Sequence, residues 1–274
     1  MTKNKLSISK LIFIVFIVLL HLLPIYISLV SAFKKKTDLG ANWKIPNYIY
    51  FDNFILAVKK GVFQAMGRSF IVTVVVILLV VIIGAMSAYP LARNQSKLNT
   101  IILNIILAVM MIPPLSMLVP LVTMLSGRNL FHIKGTNTYW AIILVVLSFQ
   151  LPVSIFMYTN FIKSIPKDLD EAAEIDGCSR FKIFFTIILP MLKPVTSTVI
   201  ILTGVFTWND YQFSLYLWQK HRSVTTFVAS YFSASSFNLN SAAASAIIVI
   251  IPITILYLSL QKYFIKSSID SAVK

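Results

Sequence analysis

Long apolar stretches without charge alternate with shorter polar segments along the chain. Residues 11–33, 69–92, 98–127 and 135–162 contain no Asp, Glu, Lys or Arg. Each stretch is longer than the roughly 20 apolar residues that a transmembrane helix needs. The stretches are continuously apolar, whereas the strands of a membrane barrel would alternate in polarity over about 10 residues. The pattern therefore predicts an all-α integral membrane protein.

Two further spans follow in the second half of the chain. Residues 183–209 are apolar apart from Lys193, and a charge at the centre of a bilayer costs about 2.5–3.5 kcal/mol. We therefore expect Lys193 at an interface and the fifth span after it. The sequence predicts one membrane domain over 1–274 with six helices, at about 11–33, 69–92, 100–125, 139–161, 193–209 and 243–261.

Prolines and small residues refine this picture of the spans. Pro113, Pro114 and Pro120 lie inside the third predicted span. Proline breaks the helical hydrogen-bond ladder, so freed carbonyls in lipid need partners from neighbouring helices or water. Gly84 and Ala88 form a small-xxx-small pair in the second span, which we interpret as helix packing.

Composition excludes several classes of protein. Hydrophobic residues make up 58% of the 274 residues and charged residues only 12%, against about 25% charged in a soluble domain. The formal net charge of +15 has no basic face or aromatic platform with it, so we expect contact with lipid headgroups and not with nucleic acid. One cysteine excludes an internal disulfide, and three scattered histidines predict no metal site.

Most of the acidic residues lie in one short segment after the fourth span. Pro166 begins it, and Gly177 allows a turn or a close backbone approach. Acidic residues near its start and Arg180 after it suit a helix dipole. A solvated loop helix, a pair of catalytic carboxylates and a docking helix for another protein remain open from physics alone. The acidic residues of this segment are Asp168, Asp170, Glu171, Glu174 and Asp176.

A resemblance to a known family covers nearly the whole chain. Glu171-Ala172-Ala173, followed by Asp176-Gly177 and Leu189-Pro190, resembles the EAA loop of ABC importer permeases. The chain looks most like the carbohydrate permeases of the maltose-transporter type, and among these like the shorter of the two partner subunits. Further segments that carry the resemblance are Ala88–Arg93, Met111-Ile112-Pro113, Trp208-Asn209-Asp210 and Ile251-Pro252.

The resemblance implies a type I importer permease fold in which residues 163–190 form a cytoplasmic coupling loop. By position, Glu171 would pair with a basic residue of an ATPase subunit, and Ala172 and Ala173 would pack in its cleft. Asp176 belongs to the same motif, and Gly177 would permit close approach. This orientation places both termini in the cytoplasm, with the chain in a bacterial or archaeal cell membrane.

The resemblance also implies partners. They are a second homologous permease chain, two ATPase subunits and an extracellular sugar-binding protein. The chain lacks the GxxxxGK[ST] phosphate loop, so we expect ATP and Mg²⁺ to be bound by the ATPase. We predict no catalytic residue and no cofactor in this chain, which would be a transport subunit and not an enzyme.

The expected substrate is a sugar, specifically an oligosaccharide. The alternative is a permease of the same fold for a polyamine or peptide, but a polyamine path favours intramembrane carboxylates, which the predicted spans lack. Aromatic faces and polar groups suit a sugar; the competing interpretation is that these side chains join helices or form the interfacial aromatic belt. The candidates for the substrate path are Gln150, Tyr158, Asn160, Trp208, Asn209 and Tyr211.

Overall fold

The computed structural model describes residues 8–127, 134–233 and 237–272. These residues form helices joined by turns, as the continuous apolar stretches predict. The helices before residue 128 are α1 (Ile8–Ala32), α2 (Asp52–Lys59), α3 (Val62–Arg93), α4 (Lys97–Met110) and α5 (Leu118–Leu125), with a 3₁₀ turn at Pro114–Met117.

The second half of the chain begins and ends with a long helix, and the helices between them are shorter. A π-turn at Phe184–Ile188 and a 3₁₀ turn at Ser230–Phe232 interrupt the α-helices. The helices are α6 (Tyr139–Ser164), α7 (Asp168–Ile175), α8 (Arg180–Ile183), α9 (Leu189–Met191), α10 (Lys193–Trp208), α11 (Gln212–Leu217), α12 (Val224–Ala229) and α13 (Leu239–Ala272).

Four helices of the described chain are long and apolar enough to cross a membrane. They match the first, second, fourth and sixth predicted spans. Two further pairs of helices pass the same test together but are sharply bent, and counting each pair as one broken span gives the six that the sequence predicts. The four long helices are Ile8–Ala32, Val62–Arg93, Tyr139–Ser164 and Leu239–Lys262.

The third predicted span is not one continuous helix over 100–125. Lys97–Met110 and Pro114–Leu125 meet at 88°. Pro113 has an extended backbone, with ψ of 129°, and a proline ring clashes with the carbonyl of the preceding helical turn. The prolines therefore end α4 and redirect the chain, as the prediction that they break the helical hydrogen-bond ladder implies.

The fifth predicted span lies after a second break. Arg180–Met191 and Lys193–Trp208 meet at 74°, and the exposed Lys193 begins the second of these helices. The π-turn before the break includes Thr186, four residues before Pro190. A proline ring would clash with this carbonyl in a regular α-helix, and the wider turn is a known way to relieve such a conflict.

The contacts of the chain define two compact units. The first comprises residues up to Gln64 together with Phe227–Ile251. In it, the buried side chain of Asn53 donates hydrogen bonds to the carbonyls of Ala32, at 2.9 Å, and Lys34, at 2.7 Å. These bonds satisfy carbonyls at the end of α1, which a helix leaves without partners.

The second unit comprises Ala65–Thr226 and the chain from Pro252 onward. Its core packs α3 against α6 and α10, with fully buried Val76, Val80 and Ile162. The hydroxyl of Tyr158 donates a 3.0 Å hydrogen bond to Thr196 Oγ1 and so joins α6 to α10. This unit contains the whole acidic segment between residues 168 and 176.

Gly84 allows the close contact of α3 with α6, as the small-residue pair predicts. A Cβ atom at Gly84 would overlap the Oγ of Ser154 and lie 3.4 Å from the ring of Tyr158. By contrast, a Cβ atom at Gly67, on the same helix, would meet nothing within 4 Å.

We expect Gly84→Ala to lower the free energy of unfolding by about 1–3 kcal/mol, the usual cost of overpacking. Gly67→Ala is the matched control, and it should be neutral or stabilising because alanine favours helices by up to about 1 kcal/mol over glycine. Thermal unfolding of the purified protein in detergent compares the two. Equal melting temperatures for Gly84→Ala and Gly67→Ala would contradict a tight contact between Gly84 and Ser154. Partial recovery of the melting temperature when Ser154→Ala is added to Gly84→Ala would support it.

Candidate functional site

The acidic segment forms the short helix α7. Ile165 precedes Pro166 and has an extended backbone, with φ of −81° and ψ of 127°, which is the conformation that a following proline favours. The first turn of α7 then carries Asp168, Asp170 and Glu171. Carboxylates at this position are stabilised by the positive end of the helix dipole.

Gly177 ends α7 in a Schellman motif. Its φ is +79°, its backbone N–H donates to the carbonyl of Glu174 at 3.0 Å, and the N–H of Cys178 donates to Ala173 at 2.9 Å. A Cβ atom at Gly177 would meet nothing within 4 Å. The chain itself therefore requires glycine for its backbone conformation, and the surface around this turn is open.

The two sides of α7 differ sharply. Asp170 is 8% exposed and Ala173 is 6% exposed, and residues three apart share one side of a helix. Glu171 and Ala172 are exposed on the rest of α7, and Asp176 and Gly177 are exposed after it.

The two alanines of the motif therefore differ in surroundings. The side chain of Ala173 packs on the hydrophobic core of its own chain, because it lies on the inner side of α7 with Asp170. Of the pair that the resemblance placed in a partner's cleft, only Ala172 has a side chain open to a partner.

A buried ion pair holds the inner side of α7. The Nη2 atom of Arg93 lies 2.6 Å from Oδ2 of Asp170, and these side chains are only 13% and 12% exposed. The hydroxyl of Tyr89 donates to Oδ1 of the same carboxylate at 2.6 Å. Arg93 Nη1 also donates to the carbonyls of Ile162, at 3.2 Å, and Ile165, at 2.9 Å. One arginine thus connects the ends of α3 and α6 with α7.

Sequence reasoning missed this network. Tyr89 and Arg93 entered the sequence analysis only as part of the segment Ala88–Arg93 that carries the family resemblance. Asp170 entered it only as one of five acidic residues in the segment after the fourth span. A signal was present, because residues four apart share one face of a helix, and Tyr89 and Arg93 occupy such positions at the end of α3. What the sequence does not show is which of the carboxylates they bind.

A groove with a volume of about 760 Å³ runs beside α7. Glu174 and Arg180 form an ion pair of 3.3 Å at its edge, and both side chains are largely exposed, so the pair adds little stability. Phe181 is 68% exposed. The lining residues are Met86, Tyr89, Pro90, Arg93, Asn94, Gln95, Lys167, Asp170, Glu171, Glu174, Arg180, Phe181 and Phe184.

The chemistry of this region fits contact with another protein. Acidic, basic and apolar side chains lie together on one surface, and no three His, Cys, Asp or Glu residues within the described ranges could hold a metal ion together. The lining offers a charged and apolar surface of the kind that protein interfaces use.

The predicted substrate-path residues are placed in different surroundings. On α6, Gln150 and Tyr158 are both buried, and eight helical steps separate them by about 12 Å. Tyr158 is fully buried in the contact with Thr196, whereas Asn160 is exposed. Trp208 is buried at the end of α10.

Asn209 and its neighbours form the turn after α10. The side-chain amide of Asn209 donates to the carbonyl of Val205 at 2.9 Å, and Tyr211 is 40% exposed. The carboxylate of Asp210 accepts hydrogen bonds from the backbone N–H groups of Phe213, at 3.2 Å, and Ser214, at 2.9 Å, and from the Ser214 hydroxyl at 2.7 Å. Burial raises the pKa of the Asp210 carboxyl, although these hydrogen bonds act in the opposite direction.

A helical membrane protein with proline-broken spans and an exposed acidic helix held against them has the architecture of an ABC importer permease. The sequence profile of the family described as binding-protein-dependent transport system inner membrane component matches residues 80–269. The chain belongs to this family, and its location is a membrane.

Individual proteins agree with this assignment. The chain is 40% identical to the melibiose/raffinose/stachyose import permease protein MelC of Bacillus subtilis, over 93% of this chain and 92% of that protein. It is 35% identical to the probable starch degradation products transport system permease protein AmyC of Thermoanaerobacterium thermosulfurigenes, over 93% of each.

A solved structure supports the fold. The structure of a bacterial ABC transporter involved in the import of the acidic polysaccharide alginate contains a chain that matches with a TM-score of 0.72 and 22% identity. The match covers 96% of this chain and all of that one. The type I importer permease fold expected from the EAA motif is confirmed.

We expect Asp210→Asn to lower the free energy of unfolding less than Asp210→Ala does. The amide oxygen of asparagine can accept the bonds that Oδ2 accepts from Ser214, but its NH2 group cannot accept from the N–H of Phe213. Asp210→Ala leaves two N–H groups and one hydroxyl without this partner, and should cost about 1–3 kcal/mol. Thermal unfolding in detergent measures both variants, and an equal loss for asparagine and alanine would contradict the retained bonds to Ser214.

Proposed function

We propose that this chain is a permease subunit of an ATP-driven importer of oligosaccharides. The names of two relatives, which refer to melibiose, raffinose and stachyose and to starch degradation products, support a sugar as the substrate. The identities of 40% and 35% extend over nearly the whole chain, so the support does not rest on one shared motif.

The exposed side of α7 is the single observation that carries the proposed mechanism. Glu171 and Ala172 face outward on a helix whose inner side is bound to its own chain, and Gly177 leaves open space beside them. In this proposal α7 is a coupling helix seated on an ATPase subunit. Glu171 and Asp176 face basic groups of that subunit, Ala172 allows a close approach, and Ala173 supports the helix from within.

The remaining parts of the transporter are separate chains. Two ATPase subunits bind ATP and Mg²⁺ and carry out hydrolysis, and a second homologous permease completes the path. An extracellular sugar-binding protein delivers the substrate. Closure of the ATPase subunits moves α7, and residues 1–274 respond as one permease domain that switches between inward and outward access by rigid-body motion.

This arrangement fixes the orientation in the membrane of a bacterial or archaeal cell. Because the ATPase subunits and their ATP are cytoplasmic, α7 and both termini lie on the cytoplasmic side. The turn that contains Asn209 and Asp210, at the other end of α10, then faces outward.

Five of the predicted path residues remain candidates for sugar contacts. Gln150, Asn160 and Asn209 offer amides for hydroxyl groups, and Trp208 and Tyr211 offer aromatic faces. Tyr158 would reach a sugar only if the contact between α6 and α10 opened, so we assign it to packing first.

Substrate uptake by cells tests the proposed function directly. Deletion of the gene should abolish uptake of labelled raffinose or maltotriose, and a plasmid copy should restore it. Spermidine and a tripeptide are measured in the same cells. Unchanged uptake of a full panel of oligosaccharides, with loss of spermidine or peptide uptake, would contradict a sugar substrate and favour the alternative solute.

A charge reversal tests the proposed contact of α7. Glu171→Lys should weaken co-purification of the ATPase subunit at least about tenfold, because removing one partner of a close charge pair costs about 2–5 kcal/mol and 1.4 kcal/mol is a factor of ten. Asp168→Lys, an acid-to-lysine change on the same helix outside the EAA motif, is the control. Equal recovery of the ATPase with both variants and the wild type would argue against a pairing at Glu171.

A further inference from the structure

The inner side of α7 has very little holding it in place. The helix has eight residues, and only Asp170 and Ala173 are buried. Isolated helices of this length are unstable in water, so α7 depends on these two contacts, on the exposed Glu174–Arg180 ion pair and on the Schellman motif at its C-terminal end. Ala173 supplies one small apolar contact, and Asp170 supplies the buried side-chain bonds that join α7 to α3.

Those bonds converge on the end of α3. The Arg93 side chain reaches Asp170 at 2.6 Å and, through its other terminal nitrogen, the carbonyls of Ile162 and Ile165. These carbonyls lie in the last turn of α6 and just after it, and the Ile162 carbonyl also accepts a 3.1 Å hydrogen bond from the backbone N–H of Ile165. The Arg93 guanidinium can bind all three because its planar group presents several donors in fixed directions.

The Arg93–Asp170 ion pair is not explained by its contribution to the free energy of unfolding. Both side chains are largely buried, and the loss of hydration by such a pair commonly cancels its electrostatic attraction. Its directional bonds instead fix one position and orientation of α7 relative to α3 and α6. Tyr89 adds a second fixed direction by binding the other oxygen of Asp170.

We propose that Arg93 and Asp170 are positioning residues that make α7 move as one body with the ends of α3 and α6. The inference rests on the proposed function of α7. A displacement applied to the exposed side of α7 passes through the ion pair to two membrane helices. Without the pair, α7 keeps its C-terminal Schellman motif and its outer surface, so the ATPase still binds, but its motion is transmitted poorly. ATP hydrolysis then continues while transport fails.

The test uses the whole transporter, purified through this chain with its partners and reconstituted in proteoliposomes with its binding protein. Two rates are measured for each variant, the uptake of labelled sugar and the hydrolysis of ATP. Their ratio, sugar imported per ATP hydrolysed, is insensitive to a simple loss of protein. We expect Asp170→Asn to lower this ratio at least tenfold while the complex is still recovered and still hydrolyses ATP.

Two further variants and one control make the result specific. Asp168→Asn makes the same change at an exposed position of α7 and should keep the wild-type ratio. Arg93→Lys keeps the charge but cannot bind Asp170 and both carbonyls together, so its ratio should fall between those of Asp170→Asn and the wild type. Tyr89→Phe removes one bond to Asp170 and should lower the ratio less than Asp170→Asn does.

The outcomes separate this inference from the function on which it rests. A wild-type ratio in Asp170→Asn overturns the inference. If Asp170→Asn does not assemble, wild-type ratios in both Arg93→Lys and Tyr89→Phe overturn it, and lowered ratios in assembled complexes support it. A wild-type complex that shows no ATP-dependent uptake of any oligosaccharide contradicts the proposed function instead.

Discussion

The ion pair between Arg93 and Asp170 is the contact on which the functional end of this molecule depends. It joins the last turn of α3 to α7 at 2.6 Å, and the same arginine binds two carbonyls at the end of α6. Without it, α7 would keep only the small apolar contact of Ala173 and the exposed Glu174–Arg180 ion pair as side-chain contacts. The pair therefore converts a short, mostly exposed helix into a fixed part of a membrane domain, which is what a helix that receives force from another protein requires.

The sequence predicts the membrane helices well where one physical signal dominates. The uncharged runs that became α1, α3 and α6 are long enough to cross the hydrocarbon core of a bilayer. The third span is broken, as its prolines predict, but prolines indicate a break and not its angle, and the 88° bend between α4 and the helical segment from Pro114 depends on the surroundings. The position of Lys193 at the second bend follows from the cost of a buried charge.

The candidate site was predictable in its location and not in its internal contacts. The resemblance of these residues to the EAA loop predicts that α7 is a surface for another chain, and the Schellman motif explains why glycine stands at residue 177. The sequence does not show which residues of α7 face its own chain. In the structure, Asp170 and Ala173 face inward, whereas Glu171 and Ala172 face outward. That division depends on how α7 is rotated against α3, and Tyr89 and Arg93, about 80 residues earlier in the chain, determine it.

The central claim is that α7 is the surface on which an ATPase subunit sits. Cys178 is the only cysteine of the chain and lies directly after Gly177, so a thiol reagent with a short photoreactive arm can be attached there without any substitution. After illumination of membranes from cells that express the whole transporter, mass spectrometry of the crosslinked peptides identifies the neighbour of α7. The account predicts peptides of an ABC ATPase, and their yield should fall in Glu171→Lys. Efficient crosslinks only to lipid or to this chain itself would contradict it.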